Sequence, residues 1–307
     1  MESSRATSSH FCLLSRRAVL ATLALLASPL RAQPAPLPPP RLPVVASFSI
    51  LGDLARIVGG DRIDVTTIVG PNGDAHVYQP SPQDGRRLAA AKLVFVNGLG
   101  FEGWIDRLVA ASKTKARIVT ASRAVTPRKE GEGVDPHAWQ DVANVKIYVA
   151  NIRDALVEAD PDGAARYKAN AAEYLHALGA LDAEIVAAID AIPRARRRVV
   201  STHDAFGYFA ARYGVEFIAP QGVSTDAETS ARDIARIVDA VKAHKVAAVF
   251  LENIVDPRFA KRIAAETGAK VGGTLYSDAL SPPDGPAPSY LRLMRFNVKQ
   301  LTEALAS

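Results

Sequence analysis

The side chains in this 307-residue chain best suited to chemistry are three histidines and an aspartate: His76, His137, His203 and Asp278. Imidazole nitrogens and a carboxylate oxygen satisfy a tetrahedral divalent cation at about 2.0–2.2 Å, and four protein donors close its shell. A closed shell favours holding a metal, because a catalytic metal keeps one position open for water. Each residue also fits an ordinary role. His76 lies in a polar loop, His137 follows Asp-Pro at a helix start, His203 precedes a helix, and Asp278 follows Tyr276-Ser277 as a turn residue would. His176 and His244 read as surface histidines on helices, and His10 falls in the leader. Glu252 is the one acid near a strand end that could act as the general base of a zinc hydrolase.

Two of the four candidates precede a long helical pattern and two follow it. From Asp162 to Ile192, large side chains at Tyr167, Tyr174, Leu178, Leu181, Ile185, Ile189 and Ile192, with Ala171 and Ala188 between them, recur at gaps of three and four. Asp160 and Pro161 read as its N-cap and first turn, and Pro193 ends it. Such a helix runs on the order of 45 Å, with Gly163 and Gly179 as its weak points.

On both sides of it, short apolar runs alternate with helical patterns. Strands at Val44 to Phe48, Val65 to Val69, Leu93 to Asn97 and Arg117 to Thr120 alternate with helices at Ile50 to Val58, Pro82 to Ala91 and Phe101 to Ala111. A further helix covers Val145 to Val157. After the long helix come strands at Arg198 to Thr202, Val215 to Ala219, Val246 to Leu251 and Lys270 to Gly273. Helices at Ala205 to Tyr213, Thr229 to Ala243 and Pro257 to Thr267 separate them. The alternation predicts an α/β fold of two lobes, each a parallel sheet with helices on both faces, joined by one long rigid helix. In such sheets ligands collect beyond the carboxyl ends of the strands, where all four candidates fall. Lys92 to Asn97 also echoes Val246 to Asn253.

The predicted division is an export signal over 1–32, a Pro-rich linker over 33–43, an N-terminal lobe over 44–160, the connecting helix over 161–193 and a C-terminal lobe over 194–307. Arg16 and Arg17, the apolar run Ala18 to Ala27 and small residues around Ala32 form the signal, which also resembles a twin-arginine leader. No later stretch is long enough to span a bilayer, so the cleaved protein is expected to be exported and soluble. Cys12, the only cysteine, leaves with the leader and takes with it any disulfide, thiolate ligand or lipid anchor. The leader also carries much of the charge. Without it, the 37 basic and 32 acidic side chains fall to 33 and 31, a balance of +2 that gives no reason to expect nucleic acid. The Arg194, Arg196, Arg197, Arg198 group reads as complementing a helix C-terminus.

Five separated stretches resemble, in order, motifs of the zinc/manganese family of substrate-binding proteins for ABC importers. They are Asp74-Ala75-His76-Val77-Tyr78-Gln79-Pro80-Ser81-Pro82, Gly98-Leu99-Gly100-Phe101-Glu102-Gly103-Trp104, Asp135-Pro136-His137-Ala138-Trp139, Ser201-Thr202-His203-Asp204-Ala205-Phe206-Gly207-Tyr208 and Tyr276-Ser277-Asp278-Ala279-Leu280-Ser281. The resemblance implies a metal held between two lobes by His76, His137, His203 and Asp278. It also implies a periplasmic receptor, expected to be a monomer, that delivers the metal to a membrane permease with its cytoplasmic ATPase. Residues 121–134 lack the His-rich loop of many zinc-selective members, whereas His203 stands where manganese-binding relatives often carry a carboxylate. Three imidazoles and one carboxylate favour Zn²⁺ over Mn²⁺ or Fe²⁺. The functions weighed against transport are a zinc hydrolase and an adhesin that uses metal only to hold its lobes together.

Overall fold

The computed structural model describes residues 40–306 apart from Glu132, 227–229, Lys245 and Ala247; the leader, His10, Cys12 and most of the Pro-rich linker lie outside the described residues. In the N-terminal half β1 (Leu42–Phe48), α1 (Ser49–Gly59), β2 (Ile63–Val69), α2 (Pro82–Ala90), β3 (Leu93–Val96), α3 (Ile105–Ser112) and β4 (Arg117–Thr120) follow the expected alternation. A small antiparallel hairpin, β5 (Lys129–Glu130) and β6 (Gly133–Val134), leads to α4 (Val142–Ala159). Beyond α5 (Ala164–Asp190) come β7 (Arg198–Val200), α6 (Gly207–Tyr213), β8 (Glu216–Ile218), α7 (Ala231–His244), β9 (Ala248–Glu252), α8 (Arg258–Thr267), β10 (Lys270–Leu275) and α9 (Tyr290–Ala306).

Each half has one four-stranded parallel sheet, in the orders β2-β1-β3-β4 and β10-β9-β7-β8. Numbered within its own half, each sheet has the same order: second, first, third, fourth. The echoing segments are β3 and β9, which hold the same place in the two sheets. Aligned on Val45↔Val94 and Val200↔Val249, Phe48 and His203 occupy equivalent positions at the carboxyl ends of β1 and β7.

The expected face of α5 is buried at Tyr167, Ala171, Tyr174, Leu178, Leu181, Ile185 and Ile189, packed on α1, α4, α6 and α9. Its start differs from expectation. Pro161–Gly163 form a 3₁₀ turn and Gly163 is the N-cap, while the Asp160 carboxylate is held by Arg62 (2.8 Å) and the Tyr167 hydroxyl. Asp160 is thus the N-cap residue of the 3₁₀ turn rather than of α5 itself, and its side chain makes no capping bond. The pairing with Arg62 also explains Gly163, where an added Cβ would lie 2.5 Å from both Arg62 Nε and Asp160 Oδ2. At the other end, Arg197 donates to the Ile192 carbonyl (2.8 Å) and pairs with Asp190, as the arginine group suggested. Leu42 and Pro43, placed in the linker by composition, instead begin β1, in parallel register with Ile63 and Asp64 of β2. The alternation also did not anticipate α9, whose buried face of Tyr290, Leu293, Met294, Val298 and Leu301 packs against α5, α1 and β10. Among the described residues no helix is long and apolar enough to cross a membrane.

Candidate metal site

The loop after β2 carries His76, the turn after β6 carries His137, the chain just past β7 carries His203, and the loop after β10 carries Asp278. Local structure fixes each one. The His76 loop rests on the 98–104 motif. Gly98, Leu99 and Gly100 all take positive φ (81°, 56° and 81°), and Glu102 accepts from Asn97 N (2.6 Å), Gly98 N (3.2 Å) and Ser47 Oγ (2.6 Å). This tight turn brings Phe101 edge-on to His76, with ring centroids 4.7 Å apart, and lets Trp104 Nε1 donate to the Ala75 carbonyl (2.7 Å). Asn97 in turn donates to the Pro136 carbonyl (2.9 Å), which anchors the His137 turn.

The four side chains converge. His76 Nε2 lies 3.3 Å from His137 Nε2 and 3.1 Å from Asp278 Oδ2, His137 Nε2 lies 3.5 Å from Asp278 Oδ1, and His203 Nε2 lies 3.3 Å from Asp278 Oδ2. Donors bonded at about 2.0–2.1 Å around a tetrahedral centre stand roughly 3.3 Å apart, so these spacings fit one small divalent ion. Asp278 Oδ1 and Oδ2 and His203 Nε2 make no hydrogen bond despite full burial, as expected of atoms aimed at a shared centre rather than at each other. Phe48, Phe101 and Trp139 wall the site on one side, with centroids 4.8–5.0 Å apart. His137, His203 and Asp278 have no exposed side-chain surface and His76 has 3%, so His76 is the candidate ligand nearest solvent.

Two buried carboxylates back the site, and their role was not read from the sequence. Asp135 Oδ1 accepts from both His137 Nδ1 (2.9 Å) and His137 N (2.9 Å). Glu252 Oε2 lies 2.6 Å from His203 Nδ1, an ion-pair distance without full hydrogen-bond alignment, while Oε1 accepts from Thr202 N (2.7 Å), the Thr202 hydroxyl and His203 N (2.9 Å). A carboxylate at Nδ1 keeps the proton there and leaves Nε2 free to bind metal. Glu252 therefore sits where it can orient His203, with Oε1 taken by three donors and Oε2 facing Nδ1, a supporting role rather than that of a hydrolytic base.

The charges are strongly coupled. Burial alone would depress His137, but Asp278 and Asp135 outweigh it and hold its pKa above the usual histidine value. Burial likewise opposes charge on His203, yet Glu252 and Asp278 lift it well above that value. Burial would raise Asp278, but His137 and His203 hold it well below the ordinary carboxylate range. Protons thus compete with metal for the imidazoles.

Buried bonds cross between the halves beside the ligands. Trp139 Nε1 (2.9 Å) and Gln140 Nε2 (2.8 Å) donate to the carbonyl of Ser277, next to Asp278, and Tyr290 Oη donates to the Trp139 carbonyl (2.7 Å). From α9, Asn297 pairs with both the amide and the carbonyl of Tyr276 (2.9 and 2.7 Å). The groove between α2 and α3, lined by Pro82, Arg86, Trp104, Arg107 and Leu108, contains none of the four candidates.

Two parallel-sheet lobes, a long helix and a cluster of buried donors are the parts that a metal-binding receptor requires. The chain belongs to the family described as zinc-uptake complex component A, periplasmic, which it matches over residues 44–304. It is a receptor of ABC metal transport. It is 38% identical over 267 residues to the manganese-binding lipoprotein MntA of Halalkalibacterium halodurans, covering 86% of this chain and 89% of that protein. Over 264 residues it is 34% identical to the iron-binding protein YfeA of Yersinia pestis, covering 85% of each. Its fold is similar to that of the periplasmic zinc-binding protein TroA from Treponema pallidum, with a TM-score of 0.84, 26% identity and coverage of 87% of this chain and 100% of that one.

Proposed function

We propose that this receptor captures Zn²⁺ in the periplasm through His76, His137, His203 and Asp278 and delivers it to an ABC permease driven by a cytoplasmic ATPase. The observation that carries this reading is the convergence of three imidazole nitrogens and one carboxylate, whose donor atoms all lie within 4.8 Å of one another. That donor set suits a borderline cation better than a hard one. Relatives named for manganese and iron make Mn²⁺ and Fe²⁺ the competing cargoes. The protein acts as a monomer exported by its leader, cleaved near Ala32 with the twin-arginine route open to it, and meets the membrane only through the permease. Its lobes, 44–160 and 194–307, are joined by the helix segment 161–193.

Titration of the demetallated protein is expected to show one tight site per chain that His137→Ala or His203→Ala greatly weakens; unchanged affinity in both variants would overturn the ligand assignment. In a direct competition Zn²⁺ is expected to displace Mn²⁺, and the reverse would replace zinc as the cargo. Chelation is expected to leave the chain folded, whereas loss of the fold would favour a structural ion of the adhesin kind.

A further inference from the structure

His76 differs from the other ligands in how it is held. Its ring has no backing carboxylate among the described contacts, it is the ligand nearest solvent, and its neighbour Val77 is 43% exposed. What fixes its backbone is Asp74, whose Oδ1 accepts from His76 N (2.9 Å). The second oxygen of the same carboxylate reaches into the other half of the molecule, where Asp74 Oδ2 accepts from Thr225 Oγ1 (2.6 Å). Thr225 belongs to the segment after β8, which is itself attached to another ligand. Gln221 forms a bridge with His203, Gly222 accepts from Asp204 N (3.2 Å), and Gln221 Nε2 donates to the Thr225 carbonyl (3.1 Å).

A continuous polar path therefore runs from His203 through Gln221, Thr225 and Asp74 to His76 without passing through the metal. We propose that the Asp74–Thr225 contact is a latch across the cleft, with Asp74 a positioning residue that holds His76 in coordinating geometry only while the segment after β8 is seated against it. The latch rests on the metal-receptor reading above and deepens it by assigning what governs release.

The physical case is one of unequal anchoring. Asp278 and His137 are joined through buried bonds from Trp139 and Gln140 to the Ser277 carbonyl, which have no water to replace them. Asp74 and Thr225 are only partly buried, so water can take over their partners when the two sides part. The cheapest route to losing one ligand is thus to free the His76 loop. The same loop has a second tie, Asn72 N to the Leu280 carbonyl (2.9 Å) and Asn253 Nδ2 to Asn72 Oδ1 (3.1 Å), but this sits farther along the chain from His76. Among the described residues, Asp74 is the one that touches both the backbone of His76 and the opposite side.

The test is the rate of metal release. Full-length mature protein loaded with one Zn²⁺ per chain is mixed with excess chelator in a stopped-flow instrument. Thr225→Val removes the hydroxyl while leaving Asp74 to hold His76 N. It is expected to release Zn²⁺ about tenfold faster, the scale of one lost bond to a charged group, with association and the melting temperature of the demetallated protein unchanged. Thr225→Ser restores the hydroxyl and is expected to restore the parent rate. Release from Thr225→Val within about twofold of the parent, or equal rates for the Val and Ser variants, would overturn the latch while leaving the receptor reading intact. A parent protein that fails to retain one Zn²⁺ or Mn²⁺ per chain would overturn that reading and the latch together, before any variant is compared.

Discussion

Replacing Glu252 by glutamine removes one charge from the back of the site, and the hydrogen bonds around it determine a second consequence. Glu252 Oε1 already accepts from Thr202 N (2.7 Å), the Thr202 hydroxyl and His203 N (2.9 Å). A glutamine must keep its carbonyl oxygen on these donors, because its amide nitrogen there would face two backbone N–H groups. Its NH₂ then points at His203 Nδ1, where Glu252 Oε2 lies at 2.6 Å. A donor at Nδ1 makes that nitrogen the acceptor and moves the ring proton to Nε2, the atom that faces Asp278 and the other ligands. The substitution therefore blocks a ligand as well as removing a charge. Asp135→Asn makes the control, since Asp135 Oδ1 alone accepts both His137 N and His137 Nδ1 and Oδ2 has no partner. Asparagine can keep Oδ1 where it is and preserve the tautomer. Losing a group that supports a metal ligand typically costs 10–100-fold in affinity, about 1.4–2.7 kcal/mol. Glu252→Gln is expected at or beyond the upper end, roughly 100-fold, and Asp135→Asn near the lower, roughly tenfold. Competition for Zn²⁺ against a chromophoric chelator measures both, with circular dichroism confirming the fold. Equal losses in the two variants would refute the tautomer argument, since the charge removed is the same.

Three further outcomes follow from the same geometry. Because His137 and His203 are held above the usual histidine pKa, they must shed protons to bind metal, so affinity is expected to fall as pH drops through their raised pKa values; a flat affinity between pH 5.5 and 8 would contradict this. Asp53 in α1 accepts from Tyr290 N (2.8 Å), and burial, opposed by that bond and by Arg56, raises its pKa from 3.8 to about 6. An acid raised by folding costs nothing below its unfolded pKa and costs most above its folded one, here at most about 3 kcal/mol. Asp53→Asn is therefore expected to raise the melting temperature at pH 7.5 and leave it unchanged near pH 3.5, and an equal gain at both would remove the charge explanation. Finally, α5 has no internal proline, and α9 and the Ser277 bonds brace the same junction, so lobe angles with and without metal are expected to agree within a few degrees. Solution scattering or paired structures showing a rotation of tens of degrees would refute the rigid strut.

Sequence patterning sufficed for most of the framework, because a buried helical face imposes a three-and-four spacing that a strand does not follow, and short β-branched apolar runs between turn residues mark buried strands. The three-and-four pattern of α5 and the strands at the centres of both sheets were legible for that reason. α9 carries the same kind of pattern, but it follows the Pro- and Gly-rich stretch from Ser281 to Pro288, where the alternation of strands and helices ends. Asp160 was legible as the N-cap residue of the turn that leads into α5, because its type and position suit one; only the folded chain shows Arg62 and Tyr167 claiming its carboxylate.

The same division runs through the site. The sequence by itself determined the donor types and their places beyond strand ends, and the resemblance of five motifs to one family implied their grouping into a ligand set. Each imidazole taken singly was compatible with packing or capping, since a residue's type does not say which atoms it will meet. Tertiary structure decided the rest. Loops beyond the carboxyl ends of strands in both sheets place donor atoms from distant parts of the chain within 4.8 Å of one another. It also paired Asp135 with His137 and Glu252 with His203, and set Thr225 against Asp74. Those contacts depend on where loops from opposite halves meet, and that meeting is fixed by packing on α5 and α9 rather than by any local spacing.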